Sequence, residues 1–305
     1  MAERRDDLTL DSADYSHVFH AGNVGDVWKH VAYLALLDAL TERPEPVVLV
    51  ETHAGAGDYT LGSTGEWTEG VGRVLAQAAR AGASPAVGRY LSAVQAWRRE
   101  SSGRYPGSPA LALMSLRSHD RAIFHELSPE AATALRRCLS DDVRAEVRQD
   151  DGPAALASLL KGLRAHRGPV LVLVDPPYST KSEWSELPKV LARAAAAHPE
   201  AILAVWYPVK SLSRPNVLLA ELRKLGLGGE VVECVTTPLE LKRNRLNGSG
   251  LVLIGAPANA VRQIHAAAPV VGSMCATHEG RWAFRSLGWS AGPSETRRTP
   301  EEQQA

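Results

Sequence analysis

An α/β chain with a mostly parallel sheet is predicted by three observations. Short apolar runs rich in β-branched residues recur along the 305 residues, at 47–50 (VVLV), 122–125 (AIFH), 171–174 (LVLV), 201–207 (AILAVWY), 230–235 (EVVECV) and 250–255 (GLVLIG). Helix-like segments at 27–40, 129–139, 153–165, 184–197 and 215–225 separate most of them, the alternation that builds βαβ units. The run 171–174 contains no polar residue, as expected of a strand buried on both faces.

Taken in order, the chain opens on a charged and polar stretch, MAERRDDLTLDSADYSH. It lacks the apolar region of a signal peptide, which points to the cytoplasm, and residues 1–14 read as a disordered extension. The next segment, YSHVFHAGNVGDVWKH (15–30), packs three histidines, a tyrosine, an asparagine and a lysine into a turn-rich entry to a helix. Its histidines do not have zinc spacing. Lys29 and His30 lie about one turn into an amphipathic pattern, so an exposed helix face competes with a role in a site.

The first strand runs into ETHAGAGDY (51–59), where Gly55 and Gly57 form a G-x-G turn. Such a turn lets the backbone approach a ligand at a strand end, or is only a tight connection, since Thr60 stands where a third glycine would be needed. Residues 58–104 exceed an ordinary crossover. Helical patterns at 67–81 and 85–100 make them a small helical insertion. The second strand ends at Glu126, either an acceptor for ribose hydroxyls or a surface or capping acid. Asp150, Asp151 and Gly152 then precede a helix, and Asp151 either bonds an adenine amino group or caps that helix.

The third strand-like run, LVLVDPPYST, ends its strand at Asp175. Pro176 and Pro177 lack amide donors and fix φ, so they stop sheet pairing and stiffen the chain beyond the strand. The acid and Tyr178 are thereby presented where ligands of open α/β sheets bind. The last two strands have no helix between them, which favours an antiparallel hairpin. From about 290 to 305 the composition is polar and rich in Pro, Ser and Glu, a disordered tail.

Composition removes several classes. Charged residues are 22% and no apolar run is long enough to span a bilayer. Three dispersed cysteines, Cys138, Cys234 and Cys275, make neither a disulfide framework nor a metal site. With Lys+Arg 34 against Asp+Glu 34, a polyanion would be held by local patches. Arg98–Arg99, RAHR (164–167) and KRNR (242–245) are the candidates, though each cluster alone reads first as solvated surface.

DPPY at a strand end, after a G-x-G strand, resembles the motif of S-adenosylmethionine-dependent methyltransferases that act on exocyclic amino groups. YSHVFHAGNVGDVWKH, ETHAGAGDYTLGS, YPGSP, DPPY and WYPV stand in the order and approximate spacing of the RlmJ family, which methylates N6 of an adenine in bacterial 23S ribosomal RNA. The likeness covers roughly residues 15–285, with Gly25 where alanine is expected. It implies a Rossmann-like class I methyltransferase with a mostly parallel seven-stranded sheet, formed by 15–57 and 105–289, and a helical subdomain inserted after the first strand.

It also implies roles. Lys29, His30, His53, Gly55, Gly57, Ser108, Glu126, Asp151, Gly152 and Asp175 would line the S-adenosylmethionine pocket, with no metal. Asp175, Pro176 and Tyr178 would be catalytic, the Asp175 carboxylate and Pro176 carbonyl accepting from N6 while Tyr178 stacks on the base. Tyr15 and His17 would meet the target adenosine. The substrate would be protein-free or early-assembly ribosomal RNA, because a base inside a helix must be flipped out to react. A DNA adenine methyltransferase would share the motif, a non-catalytic nucleic-acid-binding module would not need it intact, and a nicotinamide dehydrogenase would need a G-x-G-x-x-G that is missing.

Overall fold

The computed structural model describes residues 20–139, 142–241 and 246–292. The first helix, α1 (Val24–Thr41), leads into β1 (Val48–Glu51). A short hairpin of β2 (Asp58–Thr60) and β3 (Arg104–Pro106) brackets α2 (Val71–Ala76), α3 (Ala78–Ala81) and α4 (Pro85–Glu100). Then follow α5 (Ser108–Leu113), β4 (Arg121–His125), α6 (Pro129–Cys138), β5 (Ala145–Arg148), α7 (Gly152–Gly162), β6 (Val170–Val174), α8 (Lys181–Ala197), β7 (Ile202–Val209) and α9 (Ser213–Lys224). The chain closes with β8 (Gly229–Val235), β9 (Gly248–Ile254), α10 (Ala258–Cys275) and β10 (Ala283–Trp289).

The main sheet has eight strands in the order β10-β8-β9-β7-β6-β1-β4-β5. Pairing is parallel from β5 through β4, β1 and β6 to β7, and antiparallel at β7–β9, β8–β9 and β10–β8. The expected hairpin of β8 and β9 is present, with β9 inserted beside β7. Seven strands were expected and eight are found. β10 (AFRSLGW) is an edge strand with several exposed side chains, so it lacks the apolar run that marks a buried strand. β5 (AEVR), at the opposite edge, is half-buried and only four residues long, and was missed for the same reason.

Alternation within β6 accounts for its unbroken apolar sequence. Leu171 and Leu173 enter a core shared with α1, α4 and α10. Val170, Val172 and Val174 enter a second core on the other face, shared with α7, α8 and α9. The helices of the inserted stretch lie within the first of these cores, where Val87, Tyr90, Leu91 and Val94 of α4 join Leu34 and Leu37 of α1. The continuous helix expected at 67–81 is broken into a 3-10 turn at Glu66–Thr68, then α2 and α3. Gly70 makes that break close-packed, because a Cβ there would collide with the Gly22 carbonyl oxygen.

From β1 the chain crosses to β4 and β5 on one side, and later to β6 and β7 on the other. The carboxyl ends of β1 and β6 therefore flank a topological switch point, the place where open α/β sheets bind ligands. Among the described residues no helix is long and apolar enough to cross a membrane.

Trp28 couples α1 to the distal strands. It is fully buried, its Nε1 donates to the Val232 carbonyl of β8 at 3.1 Å, and its ring meets Phe284 of β10 edge-on. Trp28→Ala is expected to cost about 3–5 kcal/mol, measured as a drop in the urea midpoint. An unchanged midpoint would show that the extra edge strand is not anchored through α1.

Candidate active site

Helix α1 supplies the first group. Its N-terminus is closed by Asn23, whose side chain accepts the Asp26 N–H at 3.0 Å, while Asp26 accepts the Gly22 N–H at 2.8 Å. An acid in the first turn also suits the partial positive charge of a helix start. One turn later Lys29 reaches Asp26 at 2.8 Å and Asp175 at 2.6 Å, with its ammonium 5.6 Å from the centroid of the Trp206 ring. Burial opposes the Lys29 charge, but the Asp175 and Asp26 carboxylates outweigh it and raise its pKa. Burial likewise opposes the Asp26 charge, and Lys29 and His30 together hold its pKa below the ordinary value.

The exposed-face alternative for Lys29 and His30 is thereby removed. They are 7% and 2% exposed, because the sheet, α4 and α10 leave α1 little free face. His30 Nδ1 lies 2.9 Å from the Tyr105 hydroxyl, which is 3.0 Å from that of Tyr90, and the imidazole stacks on the Tyr105 ring. Burial first, then the neighbouring Lys29 charge, push the His30 pKa down to about 3. It is a neutral imidazole at physiological pH.

At the end of β6, Pro176 is buried and Pro177 exposed. Tyr178 stands at φ 52°, a conformation costly for a bulky L residue and found where surrounding structure enforces it. Its hydroxyl donates to the Trp206 carbonyl at 2.8 Å and its ring lies 4.2 Å from that of Trp184, leaving the residue 6% exposed. The ring is a packed wall, because Trp184 and Trp206, neither given a role by the sequence, pack against it.

Beside Asp175 across the switch point, the last residue of β1 is a carboxylate buried to 1% exposure, Glu51. Tyr33 donates to one oxygen at 2.7 Å and Ser108 to the other at 2.6 Å. Burial dominates over these donors and raises the Glu51 pKa to about 7. Ser108 is thus turned toward Glu51, its single hydrogen spent there. His53, two residues on, is half-buried with Nδ1 2.8 Å from Thr52 Oγ1, and burial lowers its pKa to about 4.

Gly55 and Gly57 both have φ in the left-handed region, at 67° and 78°. A Cβ on Gly55 would collide with the Tyr59 hydroxyl and one on Gly57 would lie 2.7 Å from Leu135 Cδ1, so the turn admits only glycine at both positions. The Gly55 N–H donates to Glu126 Oε2 at 2.8 Å, and the Ser128 N–H to Oε1 at 2.8 Å. Glu126 is therefore not a side-chain cap in isolation. It clamps the G-x-G turn, and a carboxylate with about four lone-pair positions retains room for two further donors. Asp151 caps α7 by accepting the Ala154 N–H at 3.0 Å, with its second oxygen left for another donor.

The structure thus gathers Lys29, Asp175, His53, Gly55, Gly57, Ser108, Glu126, Asp151 and Gly152 at the carboxyl ends of neighbouring strands, or against residues there. His30 sits behind Lys29 in the polar chain to Tyr105 and Tyr90. Tyr15, His17 and the KRNR stretch lie outside the described residues. Of the other basic patches, Arg164 donates to the Ala197 and Ala196 carbonyls at the end of α8, a structural use. Asp26, Glu51, Trp184 and Trp206 escaped the sequence reading. Only Asp26, three residues before Lys29 on a helix, carried a local signal.

Two carboxylates, Asp26 and Asp175, meet one ammonium, Lys29, with the Glu51 carboxyl nearby. Such an excess of acid suits a ligand bearing positive charge, and the acceptors on Glu126 and Asp151 suit hydroxyl and amino hydrogens.

The family model for ribosomal RNA large subunit methyltransferase D, RlmJ, matches residues 44–289. Ribosomal RNA large subunit methyltransferase J of Escherichia coli (strain K12) is 32% identical over 262 residues, 84% of this chain and 91% of that protein. Its counterpart in Haemophilus influenzae is 32% identical over 253 residues, 80% and 87% of the two chains. The crystal structure of protein LPL1258 from Legionella pneumophila is similar with a TM-score of 0.77 and 26% identity, over 88% of this chain and 98% of that one.

Glu51 gives a signed pH dependence. Its carboxyl has an ordinary value of 4.5 and is raised to about 7 in the folded chain. Its contribution is fully present below the unfolded value and lost as pH rises through 7, an effect of about 3 kcal/mol. Glu51→Gln should therefore gain stability relative to the parent between pH 5 and pH 8, read from urea midpoints. A relative loss over that interval would reverse the assignment.

Proposed function

The chain belongs to the RlmJ family of ribosomal RNA large subunit methyltransferases, and from that membership we propose that it methylates the exocyclic N6 of an adenine in 23S ribosomal RNA with S-adenosylmethionine as donor. The sheet is then the Rossmann-like sheet of a class I methyltransferase with one more antiparallel edge strand. The observation that carries the reading is Asp175 at the switch point, in DPPY, fixed by the buried Lys29 at 2.6 Å.

S-adenosylmethionine supplies an electrophilic methyl group on a sulfonium. In this reading Glu126 accepts from the ribose hydroxyls and Asp151 from the adenine amine of that cofactor. Gly55, Gly57 and Gly152 let the backbone pack tightly at the strand ends beside it, while His53 and Ser108 line the remainder and His30 backs Lys29. The acid-rich pocket balances its positive charge.

Adenine N6 is a weak nucleophile because its lone pair is delocalised into the ring. The Asp175 carboxylate and the Pro176 carbonyl accept its two hydrogens, which favours a pyramidal nitrogen with the lone pair available. Charge grows on N6 as the bond to carbon forms, and a carboxylate already in place stabilises it without reorganisation. Lys29 keeps that carboxylate ionised and oriented. Tyr178, tied to β7 and backed by Trp184, forms the wall against which the base is held. A paired adenine cannot reach this wall, so the target lies in a loop or is flipped out of its stack; we take protein-free or early-assembly RNA in the cytoplasm as the form methylated.

The test is transfer of labelled methyl from S-adenosylmethionine to large-subunit RNA from cells lacking the protein, beside assembled subunits and duplex DNA. Label in N6-methyladenosine of the free RNA is expected. Label in DNA alone would change the substrate, and none at all would remove the activity. Asp175→Asn, which keeps the side-chain shape, is expected to lower kcat by roughly a thousand-fold. Full turnover by that variant would move catalysis away from Asp175.

A further inference from the structure

Three strand ends meet behind the proposed adenosine half of the cofactor, and one residue touches all of them. His125, the last residue of β4, is fully buried. Its carbonyl accepts the Ala54 N–H at 2.9 Å, from the turn after β1. Its Nδ1 lies 2.5 Å from Asp150 Oδ1, in the loop after β5. Its Cβ is 2.8 Å from where a Cβ on Gly152 would sit, and the same Cβ would collide with the Thr52 carbonyl oxygen. The backbone at 152 is thus pressed against both β1 and β4. Glu126, the next residue, joins the same ends, since its N–H donates to the Arg148 carbonyl at 3.0 Å and its carboxylate takes the Gly55 N–H.

A ring nitrogen bonded to a carboxylate oxygen carries the hydrogen, so His125 donates from Nδ1. Nε2 is buried without a hydrogen-bond partner among the described residues. With the hydrogen on Nδ1 the unused group is a lone pair, whereas the opposite tautomer would leave both partners of the short contact as acceptors. The Asp150 side chain is 44% exposed and fills no core space. What the bond does is local: it ties the 150–152 loop to the end of β4.

We infer that His125 and Asp150 are a positioning pair for the adenosine half of the cofactor, holding the loop that bears Asp151 and Gly152 at a fixed separation from Glu126. The inference rests on the cofactor placement under Proposed function. Neither residue touches the reacting atoms. Both act through the two acids that take the ribose and adenine hydrogens.

The experiment compares S-adenosylhomocysteine binding by calorimetry with steady-state kinetics in Asp150 variants, which spare the core. Asp150→Ala is expected to raise the Kd for S-adenosylhomocysteine and the KM for S-adenosylmethionine roughly ten-fold, the loss of one hydrogen bond to a charged group. Its kcat and KM for RNA should stay within about two-fold. Asp150→Asn keeps an acceptor oxygen and should recover most of the binding. Parental binding by Asp150→Ala, a loss in kcat equal to the loss in affinity, or no recovery by Asp150→Asn would each overturn the pair's role. Glu126→Ala separates the two levels of the argument. If it binds like the parent, the cofactor placement fails and takes the inference with it. If it weakens binding while Asp150→Ala does not, only the inference fails.

Discussion

The buried ammonium of Lys29 is the interaction on which the site depends. It joins helix α1 to the end of β6 by bonds to Asp26 and Asp175, so the Asp175 carboxylate is positioned by a helix that lies far away in sequence. An ion pair of this kind is a weak source of net stability, because desolvation offsets most of the attraction. Its value is geometric. Removing Lys29 would leave two partly buried carboxylates without their cation, which keeps the arrangement to one register.

The two cores make that arrangement possible. One face of the sheet is covered by α7, α8 and α9, the ordinary crossover helices. The other is covered by α1, α10 and the inserted α4. Because α1 is enclosed by these neighbours, its polar residues must find partners inside. Lys29 finds two acids, Tyr33 finds Glu51, and His30 finds Tyr105. Interior polar groups that find partners rigidify their surroundings, and the helical insertion provides this enclosure.

The strand ends are laced to one another as well as to α1. Glu126 holds the G-x-G turn, His125 holds both that turn and the loop bearing Asp151, and Tyr178 is tied to β7 through the Trp206 carbonyl. Substrate-binding residues on loops gain precision only when such bonds fix them. The strained backbone at Tyr178 belongs to this pattern, being held by Trp184 and Trp206 rather than by its own preference.

The sequence by itself determined the α/β class, the parallel centre with its antiparallel end, and the acids that follow β4 and β6, Glu126 and Asp175. These are local properties: an apolar run of strand length, a helix period between runs, and two prolines after an aspartate. It also determined that Gly55 and Gly57 form a turn, since that depends on backbone freedom alone. The tertiary structure decided the rest. Lys29 and His30 read as a helix surface until α4 and α10 are seen to cover it. The packing of Tyr178 against Trp184 and Trp206 is visible only in the fold. β10 has no apolar run because edge strands need none, and the pairings of Lys29 with Asp175 and His125 with Asp150 join residues 146 and 25 positions apart. Periodicity reports what a residue's own element does with water, whereas burial and charge pairing depend on which other element arrives, and that is settled only when the chain has folded.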